Sequence, residues 1–284
     1  MKEKLKSGFL NGELEEEVYV AQPEGFEING QEENVYKLEK TLYGLKQAPR
    51  ACCMLYVDDI IYMGSSHSIV AEFKSNMMSR FEMQDLSLLH YFLGFEAKQE
   101  EDRVFVSQNK YASDLLKRFG LVDCKFAATP MNLNEKLQQE DCTERANARS
   151  FRSLVGGLIY LSHTRPNISY SVGVVSRFMS NPLKHHFGAA KRILHYVVGT
   201  LEYGIWYSHV SNFILLGFTE SDWVGSVDDR KSTSSNIFSL RLGAITWSSK
   251  KQVTTTLSSY KAEYIPTTSV ACQCIWLRRI FADL

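Results

Sequence analysis

Leu55-Tyr56-Val57-Asp58-Asp59-Ile60-Ile61-Tyr62-Met63-Gly64 sets two adjacent acids between two short apolar runs. Runs this short, and this rich in β-branched and aromatic residues, predict buried strands. An Asp-Asp pair between them predicts the tip of a tight hairpin. Taken as residues alone, the acids admit two readings. Acids are common turn formers. Carboxylates held on a rigid hairpin are also ligands for hard cations, and magnesium takes one or two carboxylates together with substrate phosphates.

Further stretches lie on both sides of the hairpin. Upstream are Lys6-Ser7-Gly8-Phe9-Leu10-Asn11-Gly12 and Leu42-Tyr43-Gly44-Leu45-Lys46-Gln47-Ala48-Pro49-Arg50. Downstream are Tyr91-Phe92-Leu93-Gly94-Phe95-Glu96 and Asp229-Arg230-Lys231-Ser232-Thr233-Ser234. In this order they resemble the reverse transcriptase and RNase H part of a copia-type retrotransposon Pol polyprotein, over nearly the whole chain. The resemblance implies an α+β fold in three regions: a reverse transcriptase palm remnant at 1–107, a helical thumb and connection at 108–202, and a truncated RNase H-like α/β domain at 203–284. It implies RNA-directed DNA polymerase and ribonuclease H chemistry with magnesium, an RNA–DNA template-primer and deoxynucleotides.

It also implies roles for single residues. Asp58 and Asp59 match the polymerase metal ligands, and Phe9 the bulky residue that blocks a ribose 2′-hydroxyl. Gly44 and Lys46 match the loop that positions the incoming nucleotide. Glu220 and Glu263 stand where the family places two nuclease acids, and Asp222 shares the strand face of Glu220. Read without the family, Phe9 is equally a buried strand aromatic, and Gly44 with Lys46 equally a surface loop.

Departures from the family pattern matter as much. Two positions before Lys6, where the family has an Asp, stands Lys4. An ammonium there repels a cation by several kcal/mol at an effective dielectric constant of about 20. Between Pro49 and Leu55, where a palm has a long helix, there are only Arg50-Ala51-Cys52-Cys53-Met54. Five residues span at most ~18 Å and make little over one helical turn. A segment of a few dozen residues is therefore expected to be missing. Glu220 carries its carboxylate one methylene further out than Asp, and misplacement near ~1 Å costs about 100-fold in rate. The family's third nuclease acid follows a helix at which this chain stops. These departures predict a degenerate fragment lacking catalysis. Two alternatives stand beside it: a retained nucleic-acid-binding remnant, and residual RNase H activity on RNA–DNA hybrids with Glu220, Asp222 and Glu263 as ligands.

Composition bounds the partners. The 32 basic residues balance 32 acidic ones, so no global positive field advertises nucleic acid and any such contact must be local. The six cysteines form no CxxC pair and read as reduced intracellular thiols. Met-Lys-Glu-Lys-Leu-Lys at the start lacks the apolar core of a signal peptide. No apolar run approaches the ~20 residues of a membrane span. The chain reads as soluble and intracellular, cytoplasmic or nuclear, with no signal of its oligomeric state.

Periodicity supplies the elements. A β-ribbon is expected around Val18-Tyr19-Val20 and Val35-Tyr36, and an amphipathic helix through Phe73, Met77 and Phe81. Tyr91 to Lys98 alternates as a strand, with Val104-Phe105-Val106 returning. Tyr111, Leu115 and Phe119 form a helical stripe closed by Gly120. Residues 121–147 are polar and read as a mobile linker. Helices follow at Phe151–Ser162, from Pro166, and from about Pro182 to Val198. The last carries Lys184, His185, His186, Lys191, Arg192 and His195, a basic face that suits either solvent or a template-primer backbone. Tyr203–Tyr207 and Phe213–Phe218 are expected to pair as strands. Two further strands, Asn236–Phe238 and Ala244–Trp247, and a helix from Tyr260 close the pattern.

Overall fold

In the computed structural model, which describes residues 13–21, 35–40, 53–56, 59–62, 67–133, 135–209 and 214–283, the apolar runs around the acid pair are antiparallel strands. β3 (Cys53–Tyr56) pairs with β4 (Asp59–Tyr62), Leu55 opposite Ile60 and Tyr56 opposite Asp59. Asp59 is thus the first residue of β4. Before it in sequence, β1 (Glu13–Ala21) and β2 (Val35–Lys40) form the expected ribbon, with Val20 opposite Tyr36. After it comes α1 (His67–Arg80). Its predicted stripe is half-buried, and Phe73 meets Tyr62 with ring centres 5.4 Å apart. Asp85 closes this unit by accepting from Lys74 Nζ at 2.5 Å and from the Tyr62 hydroxyl at 3.3 Å.

The chain divides into two compact units, one running to Ser87 and one from Leu88 to Ala282. The second begins with a four-stranded antiparallel sheet in the order β5 (Tyr91–Phe92), β6 (Phe95–Gln99), β7 (Arg103–Ser107), β8 (Gly204–Ser208). The single alternating strand expected from Tyr91 to Lys98 is instead a hairpin folded at Leu93-Gly94, with Phe92 opposite Phe95. Both turn residues have positive φ, 48° and 80°, the pairing that a two-residue hairpin turn requires and glycine accommodates. Tyr160 locks the turn by donating its hydroxyl to the Leu93 carbonyl. The other correction concerns β8. It does not pair with the following strand. It runs antiparallel to β7, Phe105 opposite Trp206 and Val106 opposite Ile205.

Four helices supply the core. They are α2 (Asn109–Arg118), α3 (Ala148–Leu161), α4 (Pro166–Ser176) and α5 (Lys184–Val198). α2 ends at Gly120 as its stripe predicts, Leu121 N–H reaching the Leu116 carbonyl at 3.0 Å. Asn147 caps α3 by accepting from Ser150 N–H at 2.9 Å, and Pro166 opens α4 where a missing N–H costs nothing. The apolar faces meet in one cluster around Leu115, Phe151, Leu154, Leu158, Ile168, Ile193 and Leu194. Into it goes one cation. Arg165 is 1% exposed, and its guanidinium donates to the Thr200 carbonyl and hydroxyl and to the Leu201 carbonyl, the last at 2.6 Å. Burial lowers its pKa to about 10, which leaves it charged at neutral pH.

Residues 121–147 have little regular structure but are fastened to α5 along their length. Ala127 N–H bonds the His195 carbonyl at 3.1 Å and Arg192 bonds Thr129 at 3.1 Å. His185 lies 3.1 Å from both Glu135 and Asp141. The segment read as a linker is a strap. Beyond β8, three antiparallel strands stand in the order β11 (Gly243–Lys251), β10 (Thr233–Leu240), β9 (Leu215–Ser221), followed by α6 (Ser259–Asp283). Six helices and antiparallel sheets among the described residues make an α+β chain. Trp247 Nε1–H donates to the Ser162 carbonyl at 3.0 Å, so β11 leans on the bundle.

His186 gives this unit an acid limit. It is fully buried and stacked on Phe178 with ring centres 3.9 Å apart. Its Nδ1 accepts from Leu183 N–H at 3.0 Å, so its Nε2 must be the donor to the Gln138 carbonyl at 2.9 Å. Burial pushes its pKa below the usual 6.5. The unfolded chain therefore takes up a proton near pH 6.5 that the folded chain refuses, and stability falls as pH drops through that window. Urea unfolding should show a lower midpoint at pH 5 than at pH 7.5, and His186→Gln should flatten that difference.

Candidate functional site

The polymerase-type residues fall largely outside the described part of the chain: Phe9, Gly44, Lys46 and Asp58, and with them Lys4. Asp59 alone is described. It is exposed, on the first residue of β4.

The C-terminal acids can be followed residue by residue. β9 ends at Glu220-Ser221, opposite Ser235 and Ser234 of β10. α6 lies over this sheet, Ala262 and Leu277 buried on its inner face and Val270 beside Gly217. Glu263, exposed one residue past Ala262, turns its carboxylate back to accept from Ser221 N–H at 3.3 Å. Glu220 and Glu263 are thereby brought to the same end of the sheet.

What holds that end is Gln252, only 6% exposed. Its amide Nε2 lies 3.0 Å from Ser221 Oγ, 2.9 Å from Ser234 Oγ and 2.8 Å from the Ala262 carbonyl. The third contact has a covalent cause. Pro266 sits inside α6 and has no N–H to give the carbonyl four residues earlier. That carbonyl belongs to Ala262, and Gln252 satisfies it. One side chain thus fills the bond the proline removed and ties the helix to the strand that carries Glu220.

Asp222 does a different job. Its backbone N–H bonds the Thr233 carbonyl at 3.1 Å, and its Oδ1 accepts from Thr233 N–H at 2.5 Å. A Cβ at Gly225 would run into its carboxylate. On its other side, Arg177 donates from Nη2 to Thr233 Oγ1 at 2.9 Å. Burial lowers the Arg177 pKa, opposed by the charges of Tyr170, Asp222 and Asp229. Burial raises the Tyr170 hydroxyl, and the Asp222 charge adds to it. Asp229 is held to Lys251 at 2.7 Å. Burial resists its ionisation, but Lys251, Ser226 and the Lys231 N–H outweigh that and bring its pKa to about 2. Tyr170, Arg177, Asp222, Asp228 and Lys251 share the wall of a small cleft of about 50 Å³.

Among the described residues, three of these acids are already engaged. Glu263 is engaged with a backbone N–H, Asp222 with another, and Asp229 with a lysine. No group of three or more His, Cys, Asp or Glu side chains able to hold a metal occurs among the described residues. Magnesium's demand for several oxygen donors in a near-octahedral arrangement is not met by these side chains. Gln252, Arg177 and Tyr170 give no signal in the sequence; Pro266 within a helical pattern is the available clue to Gln252.

The basic face expected on α5 is split. Lys184 pairs with Glu144 at 2.5 Å, while His185 and His186 hold the strap. Arg192 and His195 hold it too, at Thr129 and the Lys125 carbonyl, and Lys191 lies over the Phe187 ring.

Comparison with known proteins agrees with the motifs. The family model for reverse transcriptase (RNA-dependent DNA polymerase) matches residues 2–54 and 50–133. The Pol polyprotein of transposon TNT 1-94 from Nicotiana tabacum is 36% identical over 99% of this chain. That of transposon RE1 from Arabidopsis thaliana is 35% identical over 99%. The chain belongs to the retrotransposon Pol family. It spans 24% and 21% of the lengths of these two relatives. It also covers 92% of an uncharacterised mitochondrial protein of Arabidopsis thaliana, at 38% identity over 78% of this chain. No solved structure matches.

Two outcomes test the assignment of the acids and of Gln252 to these contacts. Asp222→Ala should cost about 2 kcal/mol, the scale of a lost charged hydrogen bond, while Glu220→Gln and Glu263→Gln leave the thermal midpoint within a degree or so. Gln252→Leu should cost about 2 kcal/mol by leaving a carbonyl unpaired. In a Pro266→Ala background, where the helix supplies its own N–H, the same change should cost less, read as coupling in a double-mutant cycle.

Proposed function

We propose that this chain is the reverse transcriptase–RNase H segment of a copia-type element that has lost catalysis in both centres. The observation that carries the reading is the break in the family match, whose two pieces meet at residues 50–54. The alignment to the tobacco relative supports it: it runs over 323 positions against a chain of 284, so about forty positions of the relative lack a counterpart here. The five residues Arg50–Met54 stand where the family has a palm helix. Lys4 stands where it has a metal-binding acid, so an ammonium replaces one carboxylate of the family's polymerase cage. Two-metal chemistry depends on every carboxylate of its cage.

On this reading residues 1–107 descend from the palm, 108–202 from the thumb and connection, and 203–284 from an RNase H-like domain. Magnesium, a template-primer and deoxynucleotides are the ancestral cofactor and substrates, and the product is intracellular. In the nuclease part, Glu220 and Glu263 remain the candidate ligands for residual hybrid cleavage, and Asp222 is bound up in the turn. A second reading, a nucleic-acid-binding remnant without chemistry, is favoured by the cations of α5 that no carboxylate neutralises among the described residues.

Primer extension on an RNA template with magnesium should give no product, and an RNA–DNA hybrid should remain uncleaved. Extension that disappears in Asp58→Asn would overturn the proposed loss of polymerase activity. Hybrid cleavage that disappears in Glu263→Ala would overturn the proposed loss of nuclease activity.

A further inference from the structure

The strap and α5 enclose an open groove of about 490 Å³, lined by Lys125, Phe126, Gly188, Lys191, Arg192 and His195, with Ala127. We propose that this groove binds single-stranded nucleic acid, its cations on successive phosphates and Phe126 against a base. The proposal rests on the second reading above and locates it.

Four features lead there. In a chain of zero formal net charge, the wall of this groove holds three permanent cations and no carboxylate. Among the described residues none of the three is in a salt bridge, unlike Lys184 on the same helix. Lys191 Nζ lies over the Phe187 ring at 5.3 Å, and Arg192 is oriented by Thr129 while its Nε–H is shielded and has no acceptor among the described residues. Lys125, Lys191 and Arg192 thus keep their charge for an outside anion.

His195 is preset. The Lys125 carbonyl, 2.8 Å from Nδ1, can only accept, so that nitrogen bears the proton, and Cys124 Sγ stands 3.2 Å from it. Nε2 has no partner among the described residues and is free to meet a ligand.

Phe126 is 62% exposed yet fixed from beneath. It sits on Gly199, where a Cβ would come within 3.0 Å of Phe126 Cβ and 3.1 Å of the ring. An aromatic ring seated on backbone and surrounded by cations suits an unpaired base, whose π-face stacks and whose phosphates track a basic groove. A duplex hides that face. The strap is pre-organised, since Ala127 N–H already bonds the His195 carbonyl.

Gly188 provides a clean perturbation. A Cβ there would meet nothing within 4 Å, so Gly188→Glu places an anion in the groove without removing a contact. The test is fluorescence anisotropy of the full chain with labelled 12-nucleotide single strands and with the matching duplex, over a salt series. Gly188→Glu, and the triple change Lys125→Gln, Lys191→Gln, Arg192→Gln, should each weaken single-strand binding about ten-fold or more. The triple change should flatten the slope of log K against log salt by about two, from ~0.7 per phosphate contact. Phe126→Ser should weaken single strands at least five-fold and leave the duplex unchanged. A control change of equal charge, Lys98→Gln, Lys110→Gln, Lys117→Gln, should act less than two-fold.

Binding by the unaltered chain that Gly188→Glu leaves intact overturns the groove but not the binding reading. Equal loss in the control, or full competition by inorganic phosphate at the oligonucleotide's own concentration, also overturns the groove. No binding of any strand at low salt overturns groove and reading together.

Discussion

The buried guanidinium of Arg165 is the constraint on which the second unit turns. It enters the chain just before Pro166 and reaches the carbonyls of Thr200 and Leu201, which follow the end of α5. Carbonyls there have no helical partner, and a cation at a helix C-terminus also meets the favourable end of the helix dipole. Burying a cation is costly in itself, and here the cost is offset by three acceptors in place of a counter-ion. The geometric result is that the chain leaves α5 in one direction only. Three residues later it is β8, lying against β7, with the Tyr207 hydroxyl on the Ala244 carbonyl of β11 at 2.6 Å. One polar contact thus sets where the helical core ends and where both sheets of this unit begin.

A second theme is that polar groups in this unit serve architecture ahead of chemistry. His186 is consumed at both ring nitrogens by Leu183 and Gln138. Asp222 is consumed by Thr233, Asp229 by Lys251, and Gln252 by the carbonyl that Pro266 frees. Each of these is a residue type that sequence inspection assigns readily to catalysis or to ion binding. Their partners are backbone groups, serine hydroxyls and single cations, which stabilise a turn or a helix.

Much of the α+β framework can be read from period and punctuation. The stripe Phe73, Met77, Phe81, the stripe closed by Gly120, Pro166 at a helix start and the alternation around Val18 and Val35 are local signals, and local hydrogen bonding answers to them. The misses share a different origin. Leu93-Gly94 is hidden because apolar residues surround a turn whose demand is for positive φ. The partner of β8 is almost a hundred residues away in sequence, and nothing in Gly204–Ser208 names it. For the acids, the sequence brings Glu220 and Glu263 to one place, but it carries no hint that Thr233 takes Asp222. Gln252 is silent in the sequence because its role exists only once Pro266 and Ala262 are one turn apart on a formed helix.

The membership of β8 bears on how such a gene can be cut and rejoined. Its five residues precede β9 in the chain and complete a ladder begun a hundred residues earlier. An exchange that swapped everything from residue 203 onward as a cassette would keep Tyr207 with its Ala244 carbonyl but bring in a foreign edge for β7. Unequal crossover within this reading frame therefore preserves the β7–β8 register pairs when both ends of that ladder descend from the same parent.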